Sequence, residues 1–154
     1  MTPGKTSIEQ PQAVQLDIDG VVQGVGFRPF LFILARRHRL TGEVSNTDSG
    51  VCLTVEGPAE KIAAFKEQIR TRPPLLATIT RIRETRVKPR GFATFEIVKS
   101  TSAKKRTTLI SPDVAVCADC LSEMKNPSDR RFEYPFINCT NCGPRYTIIR
   151  DIPY

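Results

Sequence analysis

A glycine-rich turn that joins a strand-like run to a helix-like run constrains this sequence most. The run from Val14 to Asp19 alternates apolar and polar residues, as a half-buried strand does, and the run from Pro29 to Leu40 has apolar residues at helical spacing. Between them lie three glycines and an arginine: Gly20, Gly24, Gly26 and Arg28. Glycines let the backbone approach an anion closely, a helix start adds a positive end, and an arginine can grip two phosphate oxygens. The stretch predicts either a phosphate cradle or a tight turn whose glycines serve geometry alone.

The segments that follow alternate between strand-like and helix-like patterns. Turn residues from Thr47 to Gly50 join two short strands into a hairpin, and a second helix runs from Pro58 to Arg72. The predicted strands cover residues 14–19, 43–46, 51–56, 78–87 and 94–98, and the first helix covers 29–40. The order βαββαβ with a short final strand predicts an α+β, ferredoxin-like sandwich over residues 12–98, with both helices on one face of an antiparallel sheet.

Two elements of this region resemble the acylphosphatase family. The first is Gly20-x-Val22-Gln23-Gly24-Val25-x-Phe27-Arg28, and the second is Gly42-x-Val44-x-Asn46 followed by Gly50. The resemblance implies hydrolysis of an acyl phosphate without a cofactor. It also implies that Arg28 and the loop backbone hold the phosphoryl oxygens and that the Asn46 amide orients the attacking water. The implied loop residues are Val22, Gln23, Gly24, Val25, Gly26 and Phe27.

Four of the five cysteines form two Cys-x2-Cys pairs near the end of the chain. Cys117 and Cys120 are separated by eighteen residues from Cys139 and Cys142. Two such knuckles can close a tetrahedral thiolate site around Zn²⁺, and a closed site of this kind is structural. The alternative is a pair of disulfides. The pattern predicts a zinc-finger segment over residues 113–154, joined to the first domain by a Ser/Thr/Lys-rich linker over 99–112.

Residues around the cysteines extend the resemblance. Asn126-Pro127, Tyr134-Pro135-Phe136 and Asn138-Cys139-Thr-Asn-Cys142-Gly143-Pro144-Arg145 are similar to the first zinc finger of the hydrogenase maturation carbamoyltransferases, the HypF family. In that family an acylphosphatase-like domain precedes the fingers. The resemblance implies carbamoyl phosphate as substrate, a second finger and transferase domains beyond this stretch, and a hydrogenase maturation partner that accepts the carbamoyl group. The chain is accordingly expected to be a fragment that lacks the complete transferase activity.

Composition narrows the remaining classes of protein. No run of eighteen apolar residues exists, which argues against a membrane span, and the polar stretch over residues 1–12 predicts a disordered leader without a secretion signal. We therefore expect a cytoplasmic protein. The net charge of +7 favours anionic partners, but the lack of Trp disfavours nucleic acid. Two alternatives stay open: a phosphate-binding module without turnover whose finger docks other domains, and a basic nucleic-acid-binding zinc protein.

Several conspicuous residues have a structural explanation that we prefer to a functional one. Cys52 is predicted to be a small core residue of a strand. The single histidine, His38, is predicted to be solvated or to stabilise the dipole of the first helix. Arg130 and Arg131 are predicted to offset the negative charge of a metal–thiolate centre.

Overall fold

The computed structural model describes residues 11–99 and 114–143. The elements follow the predicted order, with one further helix in the cysteine-containing segment. They are β1 (Gln12–Val21), α1 (Phe27–Arg37), β2 (Thr41–Asn46), β3 (Gly50–Gly57), α2 (Ala59–Thr71), β4 (Thr78–Val87), β5 (Phe95–Ile97) and α3 (Ala118–Lys125). Since Gln12 belongs to β1, the strand begins inside the predicted leader. The rest of the leader, apart from Pro11, and nearly all of the predicted linker lie outside the described residues.

The five strands form one sheet in the order β4-β1-β3-β2-β5. The first four pair antiparallel, as the ferredoxin-like prediction requires, and β5 adds to β2 in parallel. β1 is an interior strand, with Leu16 opposite Leu53 of β3 on one side and opposite Glu84 of β4 on the other. The predicted fold is therefore confirmed, and the first loop leaves the sheet from an interior strand.

Alternation in β1 separates a buried face from a half-buried face. Val14, Leu16 and Ile18 are buried, whereas Gln15 and Asp17 between them are only partly covered. The buried face packs with α1 and α2 into one hydrophobic core, in which Leu31 and Phe65 are fully enclosed. Burying a large apolar side chain stabilises the fold by about 1.5–3 kcal/mol, so this face fixes the register of β1 and hence the position of the loop that follows.

The first helix begins and ends earlier than predicted. Gly26, in the left-handed region with φ of 73°, is its N-cap, and the helix covers Phe27–Arg37 instead of 29–40. Pro29 lies in the first turn, where its missing N–H breaks no intrahelical bond. His38 forms the C-cap and Arg39 has a positive φ of 55°, which turns the chain before Leu40. The glycine therefore fixes the helix start.

The strand that alternates poorly in the sequence is an edge of the sheet. Most of β4 is exposed, and only Ile79, Ile82 and Val87 are partly buried. An edge strand with few inward positions needs little apolar alternation. A bulge between Asp19 and Gly20 shifts the register of β1 against β4 just before the glycine-rich loop. Within the described residues, no helix has the length and apolar character needed to cross a membrane.

Candidate active site and cysteine cluster

The loop between β1 and α1 is a short bend anchored by apolar side chains. Val22, Val25 and Phe27 are each only 1% exposed, so they tie the loop to the core. Gly24 and Gly26 have φ of 70° and 73°, a region that glycine enters without strain. Both glycines line a surface cavity. The loop is therefore a fixed concave stretch of backbone, which is the arrangement an oxyanion cradle needs.

Arg28 lies on the same cavity, in the first turn of α1. The N-cap Gly26 has no side chain that could accept hydrogen bonds from the first N–H groups of the helix. Partial burial lowers the pKa of the Arg28 guanidinium from its ordinary value. A guanidinium that has already lost part of its water, next to a helix start, is well suited to bind an anion.

Gln23 has a role that the sequence did not reveal. Its side chain is 1% exposed, and Nε2 donates to the carbonyl oxygens of Thr47 at 2.7 Å and Gly50 at 2.8 Å. These carbonyls belong to the β2–β3 turn, which directly follows Asn46. The amide thus clamps the phosphate-loop candidate to the turn that carries the second predicted site residue. The one indication in the sequence was that Gln23 is the single residue with a side-chain amide in a run of valines and glycines.

Replacing Gln23 by leucine is expected to lower the free energy of unfolding by about 2 kcal/mol, because the two hydrogen bonds that join the loop to the β2–β3 turn are lost. Urea denaturation measures the change. Gln15→Leu is the matched control, because the Gln15 amide is partly exposed and makes only long contacts of 3.4 Å with Asp17. Equal unfolding free energies for the two variants would contradict a clamp at Gln23.

Asn46 ends β2 and is 1% exposed. The structure brings its turn against the glycine-rich loop through Gln23, but the cavity next to Arg28 is lined by other residues. Arg28 therefore lines the cavity, whereas Asn46 is buried at the end of β2, next to the turn that Gln23 holds.

The far wall of the cavity comes from the cysteine-containing segment. The cavity has a volume of about 310 Å³, within the usual range for a small-molecule site. The loop and helix contribute one side and the second cysteine knuckle the other; the lining residues are Val22, Gly24, Gly26, Phe27, Arg28, Pro29, Asn138, Cys139, Thr140 and Gly143. The phosphate-loop candidate and the predicted finger therefore share one cavity.

The four predicted metal ligands converge. All four sulfur atoms lie within 4.8 Å of one another. The Sγ–Sγ distances are 3.6 Å for Cys117 and Cys139, 3.8 Å for Cys120 and Cys142, and 3.9 Å for Cys139 and Cys142. Four thiolates at about 2.3 Å from a central ion would be about 3.8 Å apart, whereas a disulfide requires about 2.05 Å. The measured sulfur distances are those of a tetrahedral metal site and not of a disulfide, so the disulfide alternative is not adopted.

Local backbone bonds shape both knuckles. The Cys120 N–H points at Cys117 Sγ, 3.5 Å away, at the start of α3. In the second knuckle the Gly143 N–H donates to the Cys139 carbonyl at 2.8 Å.

Burial raises the pKa of the Cys142 thiol, but hydrogen bonds from the Cys139 backbone and neighbouring groups outweigh it and bring the pKa to about 7. Burial raises the pKa of Cys120, which a bound cation would reverse.

The other residues singled out in the sequence lie away from the cavity. Cys52 lies in β3, partly buried, and burial together with Asp17 raises the pKa of its thiol to about 12, so the thiol is a poor nucleophile. His38 caps α1, but it is not simply solvated, because its ring packs edge-on against Phe65 at 6.4 Å. Arg131 pairs with Glu123 at 2.5 Å, so its direct partner is a carboxylate of α3.

Comparison with known proteins separates the chain into two matched regions. Residues 14–97 match the acylphosphatase family, and residues 116–149 match the HypF finger. The acylphosphatase of Pseudothermotoga lettingae is 36% identical over 88 residues, which cover 56% of this chain and 98% of the relative.

Longer relatives match both regions together. The carbamoyltransferase HypF of Rhizobium leguminosarum bv. viciae is 44% identical over 156 residues, covering 100% of this chain and 20% of the relative. The crystal structure of a full-length HypF in its phosphate- and nucleotide-bound form superposes with a TM-score of 0.89 at 48% identity, covering 97% of this chain and 20% of that one. The chain thus spans about a fifth of the length of these HypF relatives.

Proposed function

Because this chain belongs to the acylphosphatase family and carries the HypF finger, we propose that it hydrolyses acyl phosphates, with carbamoyl phosphate as the substrate. One observation carries the proposal: the glycine backbone of the loop and the guanidinium of Arg28 line the same cavity, at the start of α1. This combination of amides, helix dipole and planar cation suits the oxygens of a phosphoryl group.

The proposed reaction needs charge neutralisation and a positioned water. Arg28 and the loop amides from Val22 to Phe27 hold the phosphoryl oxygens, and the Asn46 side-chain amide orients the water. The water attacks phosphorus, the bond from phosphorus to the acyl oxygen breaks, and a carboxylate leaves with that electron pair; phosphate retains the water oxygen. A carboxylate is already a good leaving group, so positioning and electrostatics supply most of the rate.

The cysteine cluster serves structure in this proposal. We infer that it binds one Zn²⁺, because its four thiolates have the tetrahedral spacing that zinc prefers. Four protein ligands fill the coordination shell, so the ion would cross-link the finger and take no part in bond cleavage. Thiolates that bind zinc in place of forming disulfides are typical of a reducing compartment, in keeping with the cytoplasm.

Hydrolysis would be the first step of a longer reaction. The names of the HypF relatives support a place for this chain within a carbamoyltransferase, where the carbamate product passes to transferase domains. The resemblance to that family further supports a role in hydrogenase maturation, with a maturation partner that accepts the carbamoyl group.

The test is phosphate release from carbamoyl phosphate by the chain and by Asn46→Ala. We expect turnover by the parent chain and a kcat about 10²-fold lower for Asn46→Ala, since the water loses its orienting group. Phosphate affinity, measured by calorimetric titration, should stay within about 3-fold, because binding rests on the loop and Arg28. A folded parent chain without turnover on any acyl phosphate would refute the hydrolase.

The position of Asn46 favours one other candidate function. Asn46 is buried, and it is not among the described residues that line the cavity next to Arg28. A phosphate-binding module without turnover would have this arrangement. The phosphate-release assay and the titration together distinguish the two functions, because a binding module takes up phosphate with an Arg28-dependent affinity but releases none from carbamoyl phosphate.

A further inference from the structure

The second cysteine knuckle lies directly on the glycine-rich loop. A Cβ atom built on Gly143 would lie 1.9 Å from the carbonyl oxygen of Gly24, so only a residue without a side chain fits there. A Cβ on Gly26 would lie 3.3 Å from both the Thr140 carbonyl oxygen and Asn141 Oδ1. Gly143 also takes a positive φ of 72°. Two backbones thus approach within contact distance at the edge of the cavity.

We propose that residues 138–143, here called the knuckle wall, form the acyl-binding side of the phosphate cavity and select a carbamoyl group. The inference rests on the proposed hydrolase function. The phosphoryl group occupies the loop and Arg28 side, where the positive charge lies. The rest of the substrate therefore points across the cavity towards Asn138 and Thr140, which line it.

The chemistry of this wall suits an amide. Asn138 carries an amide and Thr140 a hydroxyl, and both side chains are exposed and able to meet a ligand. A carbamoyl group offers two N–H donors and a carbonyl acceptor, whereas an aromatic acyl group has no donor. Hydrogen bonds to the carbamoyl nitrogen would favour it, and an aromatic ring would leave the polar wall groups without partners. The finger then determines specificity as well as holding its metal.

The first test compares substrate preference. The double variant Asn138→Leu/Thr140→Val is expected to lower the ratio of kcat/KM for carbamoyl phosphate to that for benzoyl phosphate by about 10-fold, through loss of hydrogen bonds to the amide. Thr85→Val, on the exposed edge strand β4, is the matched control and should leave the ratio unchanged. Zinc content is measured for each protein, since Cys139 lies between the two substituted residues. An unchanged ratio in a zinc-loaded double variant would overturn the proposal.

The second test does not depend on turnover. Phosphonoacetamide is a non-hydrolysable analogue of carbamoyl phosphate whose phosphonate and amide would contact the loop and the knuckle wall together, so by linkage its binding must raise the affinity of the cluster for zinc. We expect a saturating concentration of this analogue to raise the zinc affinity, measured by equilibrium competition with a chelator, by about 5-fold in the full chain. Gly143→Ala should abolish this effect because its Cβ would collide with the loop. Gly91→Ala, with a similar φ of 77° and no atom within 4 Å of the added Cβ, should retain it.

The two tests separate failure of this inference from failure of the hydrolase. A chain that hydrolyses acyl phosphates but whose zinc affinity is unaffected by phosphonoacetamide disproves the knuckle wall and leaves the hydrolase standing. A chain whose zinc affinity rises with phosphonoacetamide, yet lacks turnover, supports the wall as part of a binding site and refutes hydrolysis.

Discussion

Arg28→Ala is expected to lower kcat/KM for carbamoyl phosphate by about 10³-fold or more, equivalent to about 4 kcal/mol of transition-state stabilisation. Among the described residues, Arg28 is the one arginine on the cavity lining, and the glycines beside it contribute only backbone dipoles. Because partial burial already lowers the pKa of its guanidinium, folding gains little from this charge. The free energy of unfolding should therefore change by no more than about 1 kcal/mol, and steady-state phosphate release together with urea denaturation measures both quantities.

Two further variants test the interpretation of Arg28. Arg37→Ala removes the same charge from the exposed last turn of α1 and should leave turnover within about 2-fold, because solvent screens a distant charge. Arg28→Lys keeps the charge but loses the planar guanidinium that can donate two parallel hydrogen bonds to a phosphoryl group. Its kcat/KM should therefore lie between those of the parent chain and Arg28→Ala. Equal losses for Arg28→Ala and Arg37→Ala would mean that net charge alone matters.

Cys120→Ser is expected to remove the metal and unfold the finger while the ferredoxin-like domain stays folded. In the described part of the finger, the fully buried core is Cys120, Ile137 and Cys142, which is too small to hold a fold without a cross-link. Structural zinc supplies apparent folding free energies of about 10–16 kcal/mol, which far exceeds what three buried side chains provide. The zinc content, measured by elemental analysis, should fall from one zinc per chain to near zero. Amide hydrogens over residues 117–143 should exchange rapidly.

Cys52→Ser is the control for this experiment. It removes a thiol from β3, in the other domain, and should leave the zinc content unchanged. Amides in β1 and β3 should keep their protection in Cys120→Ser, since no described residue of the finger belongs to the hydrophobic core of the sheet. If the sheet also lost protection, the two parts of the chain would fold as one unit, and metal binding would be required for the whole structure.

The local sequence determined most of the fold. Several patterns depend only on residues that are near neighbours in the chain: the alternation in β1, the turn residues between β2 and β3, and the apolar faces of both helices. The order of the elements that these patterns indicate predicted the ferredoxin-like sheet correctly. The bounds of α1 were wrong by two residues at the start and three at the end, because the left-handed conformation of Gly26 fixes its start. Cysteine spacing likewise predicted the cluster, since a knuckle is a local device.

Tertiary structure decided how these parts meet. The sequence identified Arg28, Asn46 and the cysteines as separate motifs, but it did not show that Gln23 fastens the loop to the β2–β3 turn or that Gly143 rests on Gly24. Both contacts join residues far apart in the chain. Each would be lost if one of the two backbones moved by about an ångström. No periodicity or spacing encodes such distances, because they follow from how the packed core orients each loop.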